Sequence, residues 1–307
     1  MVGVGVVILP QERWALQRER WLEVEAMGFD HAWTYDHLAW RSLADEPWFA
    51  TVPLLAAAGA VTSRIGLGTW VASPNFRHPV PFAKDVMGLD DFTGGRLLLG
   101  LGAGGEGFDA QVVGPAPTRG QRTARFEEFV AVLDQLLTHP VTNHTGDWYA
   151  ANDARMVPGT IARPRTPFVV AANGPRTMAL AARYGQGWAT YGPVLGLDDP
   201  TEPTAADQER WWTGLAELSA RYDEVEAAAG RSEPARRYLS IDGAPVLALE
   251  SVDTAVEGVH RAAELGFTDI VLHRPRAEGV YAGSLETYRE LAARLPGLQA
   301  LQAAPRP

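Results

Sequence analysis

Eight short apolar, β-rich runs alternate with helical patterns along this chain, and that alternation constrains the fold more than any other feature. The runs cover residues 2–9, 31–35, 65–71, 96–101, 168–172, 188–191, 238–242 and 270–273. Between them, Phe126, Phe129, Val130, Leu133, Leu136 and Leu137 have the spacing of one buried helix face. Phe82, Val86 and Leu89 repeat it earlier, and Val252, Ala255, Val256, Val259 and Ala263 repeat it later, with Ser251 placed to cap. One junction recurs: a helix end, a glycine at the cap, then a buried strand, at Gly28, Gly266 and Gly185. This pattern predicts a (β/α)8 TIM barrel, a single α/β domain over 1–307, with insertions after its strands. A doubly wound open sheet is the structural alternative. Residues 139–166 predict an extended excursion or hairpin, and residues 193–209 a Pro- and Asp-rich loop before a helix from Arg210.

Composition removes several chemistries. With no cysteine, disulfides, thiolate metal sites and cysteine nucleophiles are absent, and no histidine pair has metal-ligand spacing, so no metal is expected. Gly-x-Ser-x-Gly and Gly-x-x-x-x-Gly-Lys are both missing. A net charge of −10 argues against a nucleic-acid surface. No apolar run approaches membrane-spanning length, and residues 1–9 read as a strand, so a soluble cytoplasmic protein is expected. Lys84 is the one lysine among 27 basic residues. Arginines gather in 119–125 and 163–183, either as a basic rim for an anion or as ordinary surface.

Ligands of parallel α/β folds bind at the carboxyl ends of strands, so the strand ends hold the candidate site. The third run carries Gly66 and Gly68 and ends at Thr69, Trp70 and Val71. The two glycines call for a close approach or a bend. The second run ends in Asp36 and His37, an acid beside an imidazole over the barrel mouth. The structural alternative has Asp36 capping the next segment and His37 packing on Trp40. Gly100-x-Gly102-x-x-Gly105 matches a dinucleotide fingerprint, but it runs into Glu106-Gly-Phe-Asp109 instead of opening a helix. Backbone kept bare for a planar ring is the better reading. Asn173-Gly174-Pro175-Arg176-Thr177 follows the fifth run and opens a helix. Its free amides and Arg176 form either a phosphate cradle or a plain tight turn.

These residues together resemble the bacterial luciferase-like flavin and deazaflavin oxidoreductases. The matching features are Tyr35-Asp36-His37, 64–69, Ser73-Pro74 with Arg77-His78-Pro79, 94–102, Arg125-Phe-Glu-Glu128 and 171–175. The resemblance implies a ring bound in the barrel mouth, a phosphate at Asn173-Gly174, and a bulge with a non-proline cis peptide at Trp70-Val71. The Asp36-His37 pair resembles the subgroup that uses coenzyme F420. By that resemblance His37 is a proton-transfer residue oriented by Asp36, and Asp36, Ser73, Ala103, Gly104, Asn173, Gly174, Arg176 and Thr177 contact the cofactor, with Thr69, Trp70 and Val71 backing its ring. The glutamate that serves as a second acid in the sugar-phosphate dehydrogenases falls on Gly105, with Glu106 beside it as the substitute candidate. Their sugar-phosphate lysines are missing, which argues against glucose-6-phosphate. Trp33, Trp40, Trp48 and Trp70 predict an aromatic pocket or core packing.

The resulting expectation is an F420-dependent oxidoreductase that moves a hydride to or from a small organic substrate, working as a homodimer. One alternative is a two-component monooxygenase using FMN supplied by a separate reductase. The other is a non-catalytic barrel that only binds a cofactor or substrate.

Overall fold

A computed structural model describes residues 1–105, 107–197 and 202–305. Its strands are β1 (Gly3–Val7), β2 (His31–Thr34), β3 (Gly66–Thr69), β4 (Leu97–Leu101), β5 (Val141–Thr145), β6 (Ala150–Arg155), β7 (Phe168–Ala171), β8 (Gly187–Thr190), β9 (Arg236–Ser240) and β10 (Asp269–His273). The helices are α1 (Trp14–Met27), α2 (Thr51–Val61), α3 (Pro79–Phe92), α4 (Phe108–Val112), α5 (Arg119–Thr138), α6 (Pro175–Tyr184), α7 (Ala205–Ala228), α8 (Val252–Glu264) and α9 (Leu285–Gln299). Eight strands close into a parallel barrel in the order β1-β10-β9-β8-β7-β4-β3-β2. The eight runs of the sequence are those eight strands. β5 and β6 form the expected antiparallel hairpin outside the barrel. The open-sheet alternative is excluded by the closure of β1 on both β2 and β10.

Strand alternation sorts the apolar residues into two layers. Val4, Val6, Leu97, Leu99, Ile270 and Leu272 face the helices. Val7, Trp33, Val169, Tyr238 and Val271 fill the barrel interior, with Trp70 and Tyr35 above them. At the opposite end from the strand termini, His31 and Asp269 are buried, and Arg236 makes a bidentate pair to Asp269 at 2.8 and 2.6 Å. Trp33 donates to His31 Nδ1 at 2.7 Å. The imidazole Nε2 therefore carries the proton that meets Asp269 at 3.1 Å. This polar plug closes the barrel floor.

The helix-to-strand junction takes its expected form twice. Gly28 and Gly266 have φ of +89° and +81°, which a side chain would resist. Gly185 differs. Its backbone is extended, and a Cβ there would stand 2.8 Å from the Ala181 carbonyl and 2.7 Å from that of Gly187. Close packing, not handedness, explains that glycine. Ser251 caps α8 through the Thr254 amide as predicted, and Thr118 with Gln121 forms a capping box on α5. No helix among the described residues is long and apolar enough to cross a membrane.

Candidate active site

The carboxyl ends of the barrel strands open into one large cleft of about 1390 Å³. Residues just past β2, β3, β4, β7, β8 and β9 all line it, namely Tyr35, Trp70, Gly102, Ala172, Tyr191 and Asp242. The loop after β4, the start of α5 and the start of α6 complete the wall.

The floor of the cleft is made by the end of β3. After Thr69 the chain turns through a cis peptide between Trp70 and Val71, as the resemblance implied. It then rejoins β4: Ala72 donates to the Gly100 carbonyl at 2.8 Å, and Gly102 donates to that of Ala72 at 2.8 Å. Gly100 in β4 and Gly102 just past it leave room for this bulge. A Cβ on Gly100 would lie 1.9 Å from the Thr69 carbonyl oxygen, and one on Gly102 would lie 2.5 Å from Val71 Cγ2. The reading of these glycines as bare backbone for a ring is therefore corrected: at 100 and 102 they clear space for the neighbouring strand. Gly68 does the same for the Trp33 ring, 2.4 Å from where its Cβ would stand. Gly104 has a φ of +77° and faces Asn75.

Trp70, Val71, Ser73, Ala103, Gly104, Asn173, Gly174, Arg176 and Thr177, all expected at the cofactor, do meet on this one cleft. Two expected residues sit behind its wall. Thr69 is fully buried and donates its hydroxyl to the Gly100 carbonyl at 2.7 Å. Asp36 is buried too, with both carboxylate oxygens held by Arg77 at 2.6 Å each. Asp36 thus anchors the β3–α3 loop and does not orient His37. Asp109, at the start of α4, takes that role. One of its oxygens meets His37 Nδ1, and the other accepts the Leu38 amide at 2.8 Å. The short loop after β4 thereby clamps the loop after β2. Glu106 lies outside the described residues. The sequence signal that could have found Asp109 was there: it is a carboxylate in a loop leaving a carboxyl strand end.

At the start of α6, Gly174 is the N-cap, no side chain caps the helix, and Pro175 occupies the first turn. The amides of Arg176 and Thr177 face a cleft that can admit an anion. Asn173 is held from both sides, accepting from Thr190 Oγ1 at 2.6 Å and donating to the Gly192 carbonyl at 2.8 Å. The Arg176 guanidinium is half exposed and paired with Glu127 on α5, with Nε at 2.9 Å. Glu128 beside it accepts the Trp148 and Tyr149 amides and so ties the β5–β6 hairpin to α5. Of the arginine clusters, Arg119, Arg122 and Arg176 reach the cleft, so a basic rim exists on this side. Arg165 instead pairs with Asp134.

The tryptophans divide. Trp33 is core, 4.9 Å from Trp70 between ring centres, while Trp40 and Trp70 face the cleft. Trp40 stacks on Tyr281, whose ring in turn lies flat on His273. Tyr35 bonds both, at 2.8 Å to His273 Nε2 and 2.9 Å to the Tyr281 hydroxyl. Burial foremost, then Tyr281 and Asp242, hold the Tyr35 phenol well above its ordinary pKa, so it stays neutral. In sequence, His273 ends a strand before the Arg274-Pro275 turn and suggests a packing or substrate-edge role; its connection to Tyr35, Asp242 and Tyr281 is not legible there, because the four are far apart in the chain and share no motif.

The model of the luciferase-like monooxygenase family matches residues 3–200. An F420-dependent glucose-6-phosphate dehydrogenase of Beutenbergia cavernae is 31% identical over 310 residues, covering 87% of this chain and 88% of the relative. The chain belongs to the luciferase-like family. Another similar protein, a 4-hydroxyprotoasukamycin monooxygenase of Streptomyces nodosus subsp. asukaensis, is 36% identical over 60% of this chain and 49% of its own length. Among solved structures, the coenzyme F420-dependent tetrahydromethanopterin reductase of Methanopyrus kandleri superposes with a TM-score of 0.72 at 17% identity, covering 97% of this chain and 99% of its own. That likeness shows the shared barrel fold.

Proposed function

We propose that this luciferase-like chain, as one barrel domain, is an oxidoreductase that moves a hydride between coenzyme F420 and a small organic substrate. One observation carries the reading: His37, held by Asp109, faces the same cleft as the uncapped start of α6 and the bulged end of β3. The residues fit a flat ring with an anionic tail. Trp70 and Val71 offer a wall for the ring, the backbone of Ala103 and Gly104 lies along the cleft, and the α6 amides with Arg176 suit a phosphate. The cofactor, when bound, supplies the hydride chemistry.

The chain's own part is to bind, orient and manage protons. Asp109 accepts from Nδ1–H of His37, which leaves Nε2 as the nitrogen that takes or gives a proton in the cleft. Burial of Asp109 and its bond to the Leu38 amide fix the ring's direction. The Beutenbergia relative is named for glucose-6-phosphate, but Lys84 is exposed on α3 and does not line the cleft. The substrate side is instead walled by Trp40, Trp70 and Tyr281, which suits a less charged molecule. Under this reading the enzyme is a cytoplasmic homodimer and needs no separate reductase.

A direct titration tests the proposal. Purified protein is mixed with oxidised and reduced F420 and with FMN, and absorbance and fluorescence are followed. Tight F420 binding without FMN binding is expected. FMN binding alone would replace the proposal with a two-component monooxygenase, the reading that the Streptomyces relative's name favours. Binding of neither would leave a barrel without redox chemistry.

A further inference from the structure

Tyr35, His273, Asp242 and Tyr281 come from three strand ends and one loop, and they form a continuous hydrogen-bonded line. Asp242, just past β9, accepts the His273 amide at 2.7 Å and the Ala248 amide at 2.9 Å, and lies 2.9 Å from His273 Nδ1. A carboxylate so placed only accepts, so Nδ1 carries the imidazole proton. The neutral ring then offers Nε2 as an acceptor, and the Tyr35 hydroxyl donates to it at 2.8 Å. The Tyr35 oxygen in turn accepts from the Tyr281 hydroxyl at 2.9 Å. Every donor points inward along the line. The last oxygen, on Tyr281, keeps acceptor capacity, and Tyr281 lines the cleft. The His273 side chain is only 2% exposed and does not line the cleft, whereas Tyr35 and Tyr281 do, so the tyrosines stand between His273 Nε2 and the cleft. Among the described residues, Tyr281 is also one of three non-glycine residues with positive φ, at 60°, a conformation retained here at the residue that ends the line on the cleft.

We propose that this line is a second acid–base station, separate from His37, which accepts the proton of a substrate hydroxyl during its oxidation to a carbonyl. The proposal rests on the reading of the cleft as an F420-dependent oxidoreductase site, and it names the substrate class as an alcohol–carbonyl pair. The substrate O–H donates to Tyr281 Oη. As the substrate's C–H bond breaks and its electron pair leaves as hydride to oxidised F420, the hydroxyl proton passes to Tyr281. The Tyr281 proton passes to Tyr35, and the Tyr35 proton to His273 Nε2. The C–O bond becomes C=O, and the imidazolium that results faces Asp242. Two electrons and one proton go to the cofactor as hydride, and one proton is held by His273. Reduction of a carbonyl runs the same line backwards. His37 Nε2 is then free to serve a different proton in the cleft. The rings of Tyr35 and His37 meet edge to face at 5.8 Å, so the two stations are neighbours with no hydrogen bond between them among the described residues.

The test has two arms. In the first, protein with ¹⁵N-labelled histidine is studied by NMR at neutral pH without cofactor. His273, assigned by loss of its signals in His273→Gln, should show the Nδ1–H tautomer, with an Nε2 shift that moves in Tyr35→Phe. An Nε2–H tautomer would overturn the proposal, because the line could not accept a proton from the cleft. In the second arm, wild type, Tyr281→Phe and Tyr35→Phe are loaded with F420 and given a panel of aliphatic, alicyclic and benzylic alcohols in single turnover. The variants should bind F420 like wild type and transfer hydride at least tenfold more slowly at saturating alcohol. Wild-type rates in Tyr281→Phe would overturn the station, and holoenzyme that oxidises none of the alcohols would overturn the substrate class. Wild type that fails to bind F420 would instead defeat the underlying reading, while the tautomer would still be measured.

Discussion

A single carboxylate decides what His37 can do. Asp36 is adjacent in sequence, yet Arg77 occupies both of its oxygens, and Asp109 is the group on the imidazole. His37→Ala should slow single-turnover hydride transfer by about 10²–10⁴-fold, the range of general acid–base help, with little change in cofactor affinity. Asp109→Asn should reproduce part of that loss, because it offers Nδ1 no charged acceptor. Asp36→Asn should leave His37 in place and act through the Arg77 loop. A normal rate in Asp109→Asn would remove it from the mechanism. The residues at strand ends were legible in the sequence because position in a parallel barrel dictates exposure to the mouth. Their partners were not. Asp109 and Asp242 act between nearby strand ends that are far apart in the chain, and adjacency in sequence says nothing about such contacts. Glycines misled for a related reason: Gly100 and Gly102 look like a ligand loop, but each answers to the strand beside it.

At the scale of elements, all eight barrel strands could be read from their short β-rich runs, since nearly all of their residues are buried on both faces, although β9 opens on Arg236 and Arg237. The hairpin after α5 was legible only as a departure from short loops. What the sequence could not show is how α5 serves α6. Glu127 on α5 holds Arg176 on α6, so an anion arriving at the helix start competes with a carboxylate for that guanidinium. Arg176→Ala should weaken cofactor binding several-fold, through loss of a charge-assisted hydrogen bond. Glu127→Gln should leave affinity equal or tighter, and isothermal titration of both variants checks the pair. If Arg176→Ala binds as wild type does, the helix amides alone hold the anion.

For the molecule as a whole, the polar plug at the barrel floor links stability to pH. Burial would raise the Asp269 pKa, but hydrogen bonds from His31 and Arg236 outweigh it and hold it below the ordinary carboxylate value. A depressed folded-state pKa means that the stabilisation is fully present above the unfolded value of about 4 and is lost as pH falls through the folded one. Asp269→Asn should therefore cost about 1–3 kcal/mol at neutral pH, because Asp269 is buried while its partner Arg236 is half exposed and screened by solvent. In denaturant titrations the gap from wild type should narrow towards pH 3. A constant gap would mean that packing, not charge, holds the floor. The closure of the barrel has one more consequence, in the time domain. β1 pairs in register with β10, Gly3 against Asp269, and with β2 on its other side. During synthesis the first strand leaves the ribosome with one of its two edges unclaimed, and it stays so until β10 follows. The last βα unit thus acts as the latch of a vectorially made ring. Nascent chains stalled before Asp269 should need chaperone cover, and those released after α9 should not.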